Sequence, residues 1–174
     1  MGVAYEIYCN KCGYGLNVSF GVGMGFPHVY EETINDAREG KLGEKIQTFL
    51  REHPDGAIDC SLVLAQCIYC GQCENVLDLT MYLPKENAPK KNSHQRWSVA
   101  MPFIGAEYVS PWDLENYYKA FAEDPHTCKH CGGAMKVFSE EYFHRHHKSG
   151  LKCKCPNCRG KLNIPKICPV IMWD

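Results

Sequence analysis

Polar and apolar residues alternate early in the chain. Tyr5-Glu6-Ile7-Tyr8 and Gly15-Leu16-Asn17-Val18-Ser19-Phe20 keep the two-residue period of half-buried strands. From Glu31 to Glu52 the pattern becomes helical, with a break expected at Gly40. In its second part Leu42, Ile46, Phe49 and Leu50 recur every three to four residues and make one apolar stripe. His53-Pro54-Asp55-Gly56 reads as the turn that ends it. Strands are predicted from Ile58 to Gln66 and from Val76 to Leu83. Residues 84–109, with Pro84, Pro89, Pro102 and Lys90-Lys91, read as a connecting segment ordered in part around Trp97 and Phe103. Ser110-Pro111-Trp112-Asp113 is a helix start, with Ser at the N-cap, Pro first and Asp third. That helix is expected to reach about Glu123, with Leu114, Tyr117, Tyr118 and Phe121 facing a core.

Between these elements stand the cysteines, 12 in 174 residues, which is the outlying feature of the composition. An even number suits a secreted disulfide scaffold. Eight of them, however, form close pairs with two residues between: Cys9/Cys12, Cys67/Cys70, Cys128/Cys131 and Cys155/Cys158. A tight Cys-x-x-Cys turn presents two thiolates to one tetrahedral ion, and two such turns complete its coordination. Gly13, Gly71 and Gly132 follow their turns directly, where positive φ lets the backbone fold back on the sulfurs; in the fourth turn Gly160 stands two residues after Cys158. Cys70-Gly71-Gln72-Cys73 competes as a pair but is followed by Glu74, so Cys73 reads as a bystander. Cys60, Cys73, Cys153 and Cys168 read as small apolar packing groups.

The four turns, Cys9-Asn10-Lys11-Cys12-Gly13, Cys67-Ile68-Tyr69-Cys70-Gly71, Cys128-Lys129-His130-Cys131-Gly132 and Cys155-Pro156-Asn157-Cys158, resemble the knuckles of zinc-ribbon proteins. The resemblance covers these turns and their flanking strands. It implies an α+β protein of two small zinc-ribbon-like antiparallel β lobes with inserted and connecting helices. The expected domains are a ribbon with a helical insertion (1–83), a linker and helix (84–124) and a second ribbon (125–174), with two zinc ions as cofactors. Assigning each ion to turns adjacent in sequence puts Cys9, Cys12, Cys67 and Cys70 on the first. Cys128, Cys131, Cys155 and Cys158 then hold the second. Two alternatives stay open. His144 and His147 could join Cys128 and Cys131 as a finger, with Cys153, Cys155, Cys158 and Cys168 holding a third ion. Four sulfurs also suit iron, which would make a rubredoxin-like electron carrier.

Charge and composition narrow the function classes. Nineteen Lys and Arg against 20 Asp and Glu exclude a uniformly basic coat. Residues 125–174 nonetheless hold 9 basic and 3 acidic residues, against 10 and 17 before them. A four-thiolate zinc site contributes about −2, so the second lobe with one ion would end near +4. Lys129, Lys136, Arg145, Lys148, Lys152, Lys154, Arg159, Lys161 and Lys166 cluster there, with Tyr142 and Phe143 among them. This predicts an interaction surface for a protein partner, or for nucleic acid as the alternative. A four-cysteine site leaves no position for substrate, and no nucleophile elbow or His-Glu-x-x-His occurs, so an enzyme and a small-molecule substrate are not expected. Gly21-Val22-Gly23-Met24-Gly25 matches no phosphate-loop spacing and reads as a bent strand or close backbone packing. No apolar run is long enough to span a membrane, and the first residues lack the pattern of an export signal. A reducing cytoplasm suits this many free thiols.

Overall fold

The computed structural model describes residues 2–23, 25–86, 88, 108–146, 153–164 and 171–173. The chain is α+β. Its elements in order are β1 (Gly2–Cys9), β2 (Gly15–Phe20), α1 (Phe26–Arg38), α2 (Glu44–Glu52), β3 (Ala57–Ile58), β4 (Leu62–Cys67) and β5 (Cys73–Leu77). These are followed by β6 (Met81–Pro84), α3 (Pro111–Tyr117), β7 (Tyr118–Ala122), β8 (Met135–Phe138), α4 (Glu140–His146), β9 (Leu162–Asn163) and β10 (Ile171–Trp173). They make two compact units, each assembled from separated stretches: Met1–Gly23, Leu62–Leu77 and Pro125–Asp174 in one, Met24–Ser61 and Asp78–Asp124 in the other.

The first unit contains two small antiparallel sheets. In one, β1 pairs with β2 from Val3↔Phe20 to Tyr8↔Gly15, and β10 and β9 both add to β1. In the other, β4 lies between β5 and β8. An isolated bridge, with Gly21 and Leu62 exchanging both backbone bonds at 3.0 and 2.9 Å, links the end of β2 to the start of β4. Inward positions of β1 and β2 (Tyr5, Ile7, Val18, Phe20) meet Leu64, Phe138, Phe143 and Leu162 in one buried cluster. Phe20 and Phe143 pack with ring centroids 4.7 Å apart. Cys9 and Cys155 belong to this same core, so the first thiol of each of two turns is anchored in it while residues 10–13 stand exposed at its edge.

The second unit is built as an ordinary apolar core. α1 buries Phe26, Tyr30, Ile34 and Ala37 at helical spacing, and α2 buries Ile46 and Phe49. The sheet β3-β6-β7 supplies buried Ala57, Ile58, Met81 and Tyr118. α3 opens with the capping box expected from sequence: Asp113 N donates to Ser110 Oγ at 3.1 Å, and Ser110 N donates back to Asp113 Oδ2 at 3.0 Å.

Several expectations need correction. Of the expected domain boundaries, 124/125 coincides with a division between the units, whereas 83/84 falls inside the 78–124 stretch, which folds with residues 24–61, and residues 125–174 fold with 1–23 and 62–77. The strands expected over 58–66 and 76–83 are each interrupted. Asp59 caps the Ser61 N–H at 2.8 Å, Asp78 caps the Thr80 N–H at 3.0 Å, and Leu79 takes φ 62° between β5 and β6. The helix begun at Ser110 stops at Tyr117. From Tyr118 the chain pairs with β6, because an open strand edge offers backbone partners that another helical turn would forgo. Tyr118 is therefore buried on a strand, and Phe121 is 53% exposed. The helical region expected to begin at Glu31 starts earlier, at Phe26, and breaks between Arg38 and Glu44. Trp97, Phe103, Pro89, Pro102 and Lys90-Lys91 lie outside the described residues. Among those that are described, no helix is long and apolar enough to cross a membrane.

Candidate metal centres

Each Cys-x-x-Cys turn folds the same way. The first cysteine's N–H donates to the carbonyl five residues on, in Cys9→Tyr14, Cys67→Gln72, Cys128→Gly133 and Cys155→Gly160, at 2.7–2.8 Å. The residue four on returns its N–H to the first cysteine's carbonyl at 2.8–3.0 Å. That fourth residue must be left-handed: Gly13, Gly71 and Gly132 have φ of 72–82°. In the last turn the position falls to Arg159, at φ 59°, and not to Gly160 as the spacing suggested. Gly160 is small for another reason. A Cβ there would stand 3.2 Å from the sulfurs of Cys158 and Cys9.

The eight paired cysteines converge in two groups of four: Cys9, Cys12, Cys155 and Cys158, and Cys67, Cys70, Cys128 and Cys131. Within each group all four sulfurs lie within 4.8 Å of one another. The Sγ–Sγ distances are 3.5 Å for Cys9–Cys158 and Cys12–Cys155, 3.4 Å for Cys67–Cys131 and 3.7 Å for Cys70–Cys128. A disulfide needs about 2.05 Å. Four sulfurs at about 2.3 Å from a central ion stand roughly 3.8 Å apart, so both groups could hold a metal ion with little adjustment.

The membership of the groups overturns the pairing by sequence order. The outermost turns close one site and the inner two close the other. Strand pairing decides this: β9 docks on β1, setting Cys9 opposite Leu162, and β8 docks on β4, setting Cys67 opposite Met135. Chain length opposes it only weakly. Joining Cys12 to Cys155 encloses 142 residues where joining it to Cys67 would enclose 54. For a flexible loop that difference costs about 0.9 kcal/mol, less than a few strand hydrogen bonds supply.

The site electrostatics reflect four thiols competing for few protons. Burial opposes ionisation of Cys9, but the N–H groups of Lys11 and Cys12 and neighbouring thiols bring it down to about 7. Burial likewise opposes Cys67, and the N–H groups of Cys70 and Tyr69 bring it down to about 6. Cys12 receives the N–H of Tyr14, yet the adjoining sulfurs, Cys155 first, and burial push it up to about 12. Cys70 is pushed up to about 12 despite the N–H of Gln72, by burial and three sulfur neighbours. Binding a dication would therefore release protons.

Compared with protein-family models, curated proteins and solved structures, the chain matches none.

The remaining candidates sort as follows. Cys60, Cys73 and Cys153 are buried outside both groups, and burial raises their thiols to about 12, 11 and 12. His144 does not complete the group at Cys128 and Cys131; its Nε2 lies 3.0 Å from Tyr5 Oη and 3.0 Å from Glu140 Oε1. It sits on α4, an element the sequence reading missed although Ser139-Glu140-Glu141 marks a helix start, with Tyr142 N donating to Ser139 Oγ at 3.3 Å. Of the basic cluster, Lys129, Lys136, Lys154, Arg159 and Lys161 are exposed around the turns, whereas Arg145 is paired with Glu141. Lys154 and Lys161 face each other across a bridge. His147, Lys148, Lys152, Lys166 and Cys168 lie outside the described residues. Within the Gly21–Gly25 stretch, Gly21 directly follows β2 and takes φ 76°, and Met24 lies outside the described residues. One feature gave no sequence signal: Ile68 and Tyr69, within the second turn, are 58% and 66% exposed.

Proposed function

We propose that this chain is a non-enzymatic binding protein of a reducing, cytoplasmic compartment, held in shape by two zinc ions, each on four thiolates. The sulfur geometry carries the proposal, since two four-cysteine groups stand at close to tetrahedral spacing. Zinc is favoured over iron because both groups join strands of a small core, the role of a closed structural site. A closed site leaves no position for water or substrate.

The second unit does hold an open cleft of about 440 Å³, floored by Phe49, Met81 and Phe121 and rimmed by Glu44, Glu52 and His53. Its one hydroxyl, on Thr48, accepts from Arg51 at 3.3 Å.

The interaction surface we propose is the basic and apolar rim of the turns: Ile68 and Tyr69 with Lys129, Lys136, Lys154, Arg159 and Lys161. A protein partner with an acidic, partly apolar face suits it. Charge bears on the choice. The first unit carries 10 Lys and Arg against 5 Asp and Glu, but it holds both cysteine groups. Two tetrathiolate ions would reduce its net +5 to about +1, which weakens the case for a polyanion. Nucleic acid is the second reading, resting on exposed Tyr69 as a stacking platform. Metal analysis of purified protein should return two zinc per chain, and a red preparation would indicate iron instead. Oligonucleotide titration at two salt concentrations separates the partners. Binding that weakens steeply with salt and is lost on charge reversal of Lys152, Lys154 and Lys161 would establish nucleic acid, and no binding at low salt leaves the protein partner.

A further inference from the structure

The two cysteine groups are not independent. The second and fourth turns belong to different groups, yet they are bonded directly to each other. Gln66, only 8% exposed, precedes Cys67; Lys154 precedes Cys155. The Gln66 side-chain amide donates from Nε2 to the Lys154 carbonyl at 2.7 Å and accepts the Lys154 N–H on Oε1 at 3.1 Å, closing a two-bond ring of the kind strands make. The same Nε2 stands 3.1 Å from the Gly71 carbonyl, at the end of its own turn.

A second link runs the other way. Arg159 Nη2 donates to the Tyr69 carbonyl at 2.6 Å. A third is packing: a Cβ on Gly71 would stand 3.2 Å from Arg159 Nη1 and 3.6 Å from the Cα of Pro156. Every partner in these links is within one residue of a cysteine of its own group. Arg159 also pays backbone strain at a position that the other three turns give to glycine.

The order of contact is thus first turn to fourth through shared sulfurs, fourth to second through Gln66 and Arg159, and second to third through shared sulfurs. We infer that Gln66 and Arg159 are positioning residues that make loading of the two sites cooperative. Closing either site fixes one of these turns, and the fixed turn presents finished hydrogen-bond partners to the other. Coupling of this kind is reciprocal. Three hydrogen bonds, each of modest net strength, support a coupling of about tenfold or more.

This inference rests on the proposed metal binding, and one experiment tests the two separately. Reduced, metal-free full-length chain is titrated anaerobically with cobalt(II) in a chelator buffer, and native mass spectrometry counts chains with zero, one and two ions. Independent, equal sites put about half the chains in the one-ion state at half loading; tenfold coupling cuts that to about one quarter. The expected result is a minor one-ion species in the unaltered protein that rises toward half in Gln66→Leu and in Arg159→Gly. Arg159→Gly keeps the left-handed backbone accessible, so it folds even where Gln66→Leu does not. A one-ion population of half or more in the unaltered protein overturns the coupling while leaving metal binding intact. Cooperative loading unchanged in Arg159→Gly and in a folded Gln66→Leu overturns the role of these residues. No bound ion at all removes the metal reading itself.

Discussion

The two units of this chain reach stability by different routes. The second buries Tyr30, Ile34, Ile46, Phe49, Ile58 and Met81 between two helices and a sheet, and none of its described residues belongs to a four-cysteine group. The first buries a comparable apolar set, Ile7, Val18, Phe20, Leu64, Phe143 and Leu162 among it, and adds four paired cysteines that are at most 2% exposed. Its strands are two to eight residues long, and the two four-cysteine groups sit where β9 meets β1 and β8 meets β4. The contrast teaches that cysteine spacing marks where strands are tied through thiol-bearing turns in addition to an apolar core.

Stripping the ions should break the comparison most widely. Structural zinc contributes on the order of 10–16 kcal/mol per site, more than a small domain's whole stability. Under a chelator and a reductant, amide exchange should lose protection throughout β1, β4, β5 and β8 while α1 and α2 keep theirs. Equal loss in both units would refute the division of labour.

The reverse perturbation is smaller. Phe49 is 3% exposed and packs against His53 and Phe121, with centroids 5.2 and 5.4 Å away. Phe49→Ala should cost the second unit about 3–5 kcal/mol, read by denaturant unfolding, and leave the ion count at two.

The smallest expected effect is on pH. Burial raises the folded-state thiols of Cys60, Cys73 and Cys153 to about 12, 11 and 12, above the ordinary value of 9.0. A raised pKa means the unfolded chain releases these protons first. Their contribution is complete below pH 9 and is lost as pH climbs from 9 toward 12. Cys60 places that loss in the second unit as well, and Cys60→Ala should flatten its alkaline stability profile there. The metal sites respond in the opposite direction, because thiolate ligands are protonated as pH falls, so acid should release the ions.

Much of this was legible in sequence, for identifiable reasons. Strand alternation placed β2 at Gly15–Phe20, and Ser110 with Asp113 announced its cap, because both signals are local. The eight candidate ligands were legible because Cys-x-x-Cys geometry is set within a single turn. Their partnership was not. It depends on β9 finding β1 and β8 finding β4 across more than a hundred and about seventy residues, and Leu162 and Met135 carry no mark of their addresses. Tyr118 and Phe121 deceived for the same reason: their spacing suits a helix, and only the edge of β6 makes them a strand. Gln66 was invisible, being one polar residue in an apolar strand until its partner Lys154 arrives from 88 positions away.

The nested pairing of turns is the central claim, and counting ions in double variants tests it directly. Native mass spectrometry of zinc-loaded Cys9→Ser/Cys155→Ser should show one ion lost, because both changes fall in one group, and Cys9→Ser/Cys67→Ser should show both lost. One ion lost from Cys9→Ser/Cys67→Ser, and two from Cys9→Ser/Cys155→Ser, would contradict the account and restore pairing by sequence order.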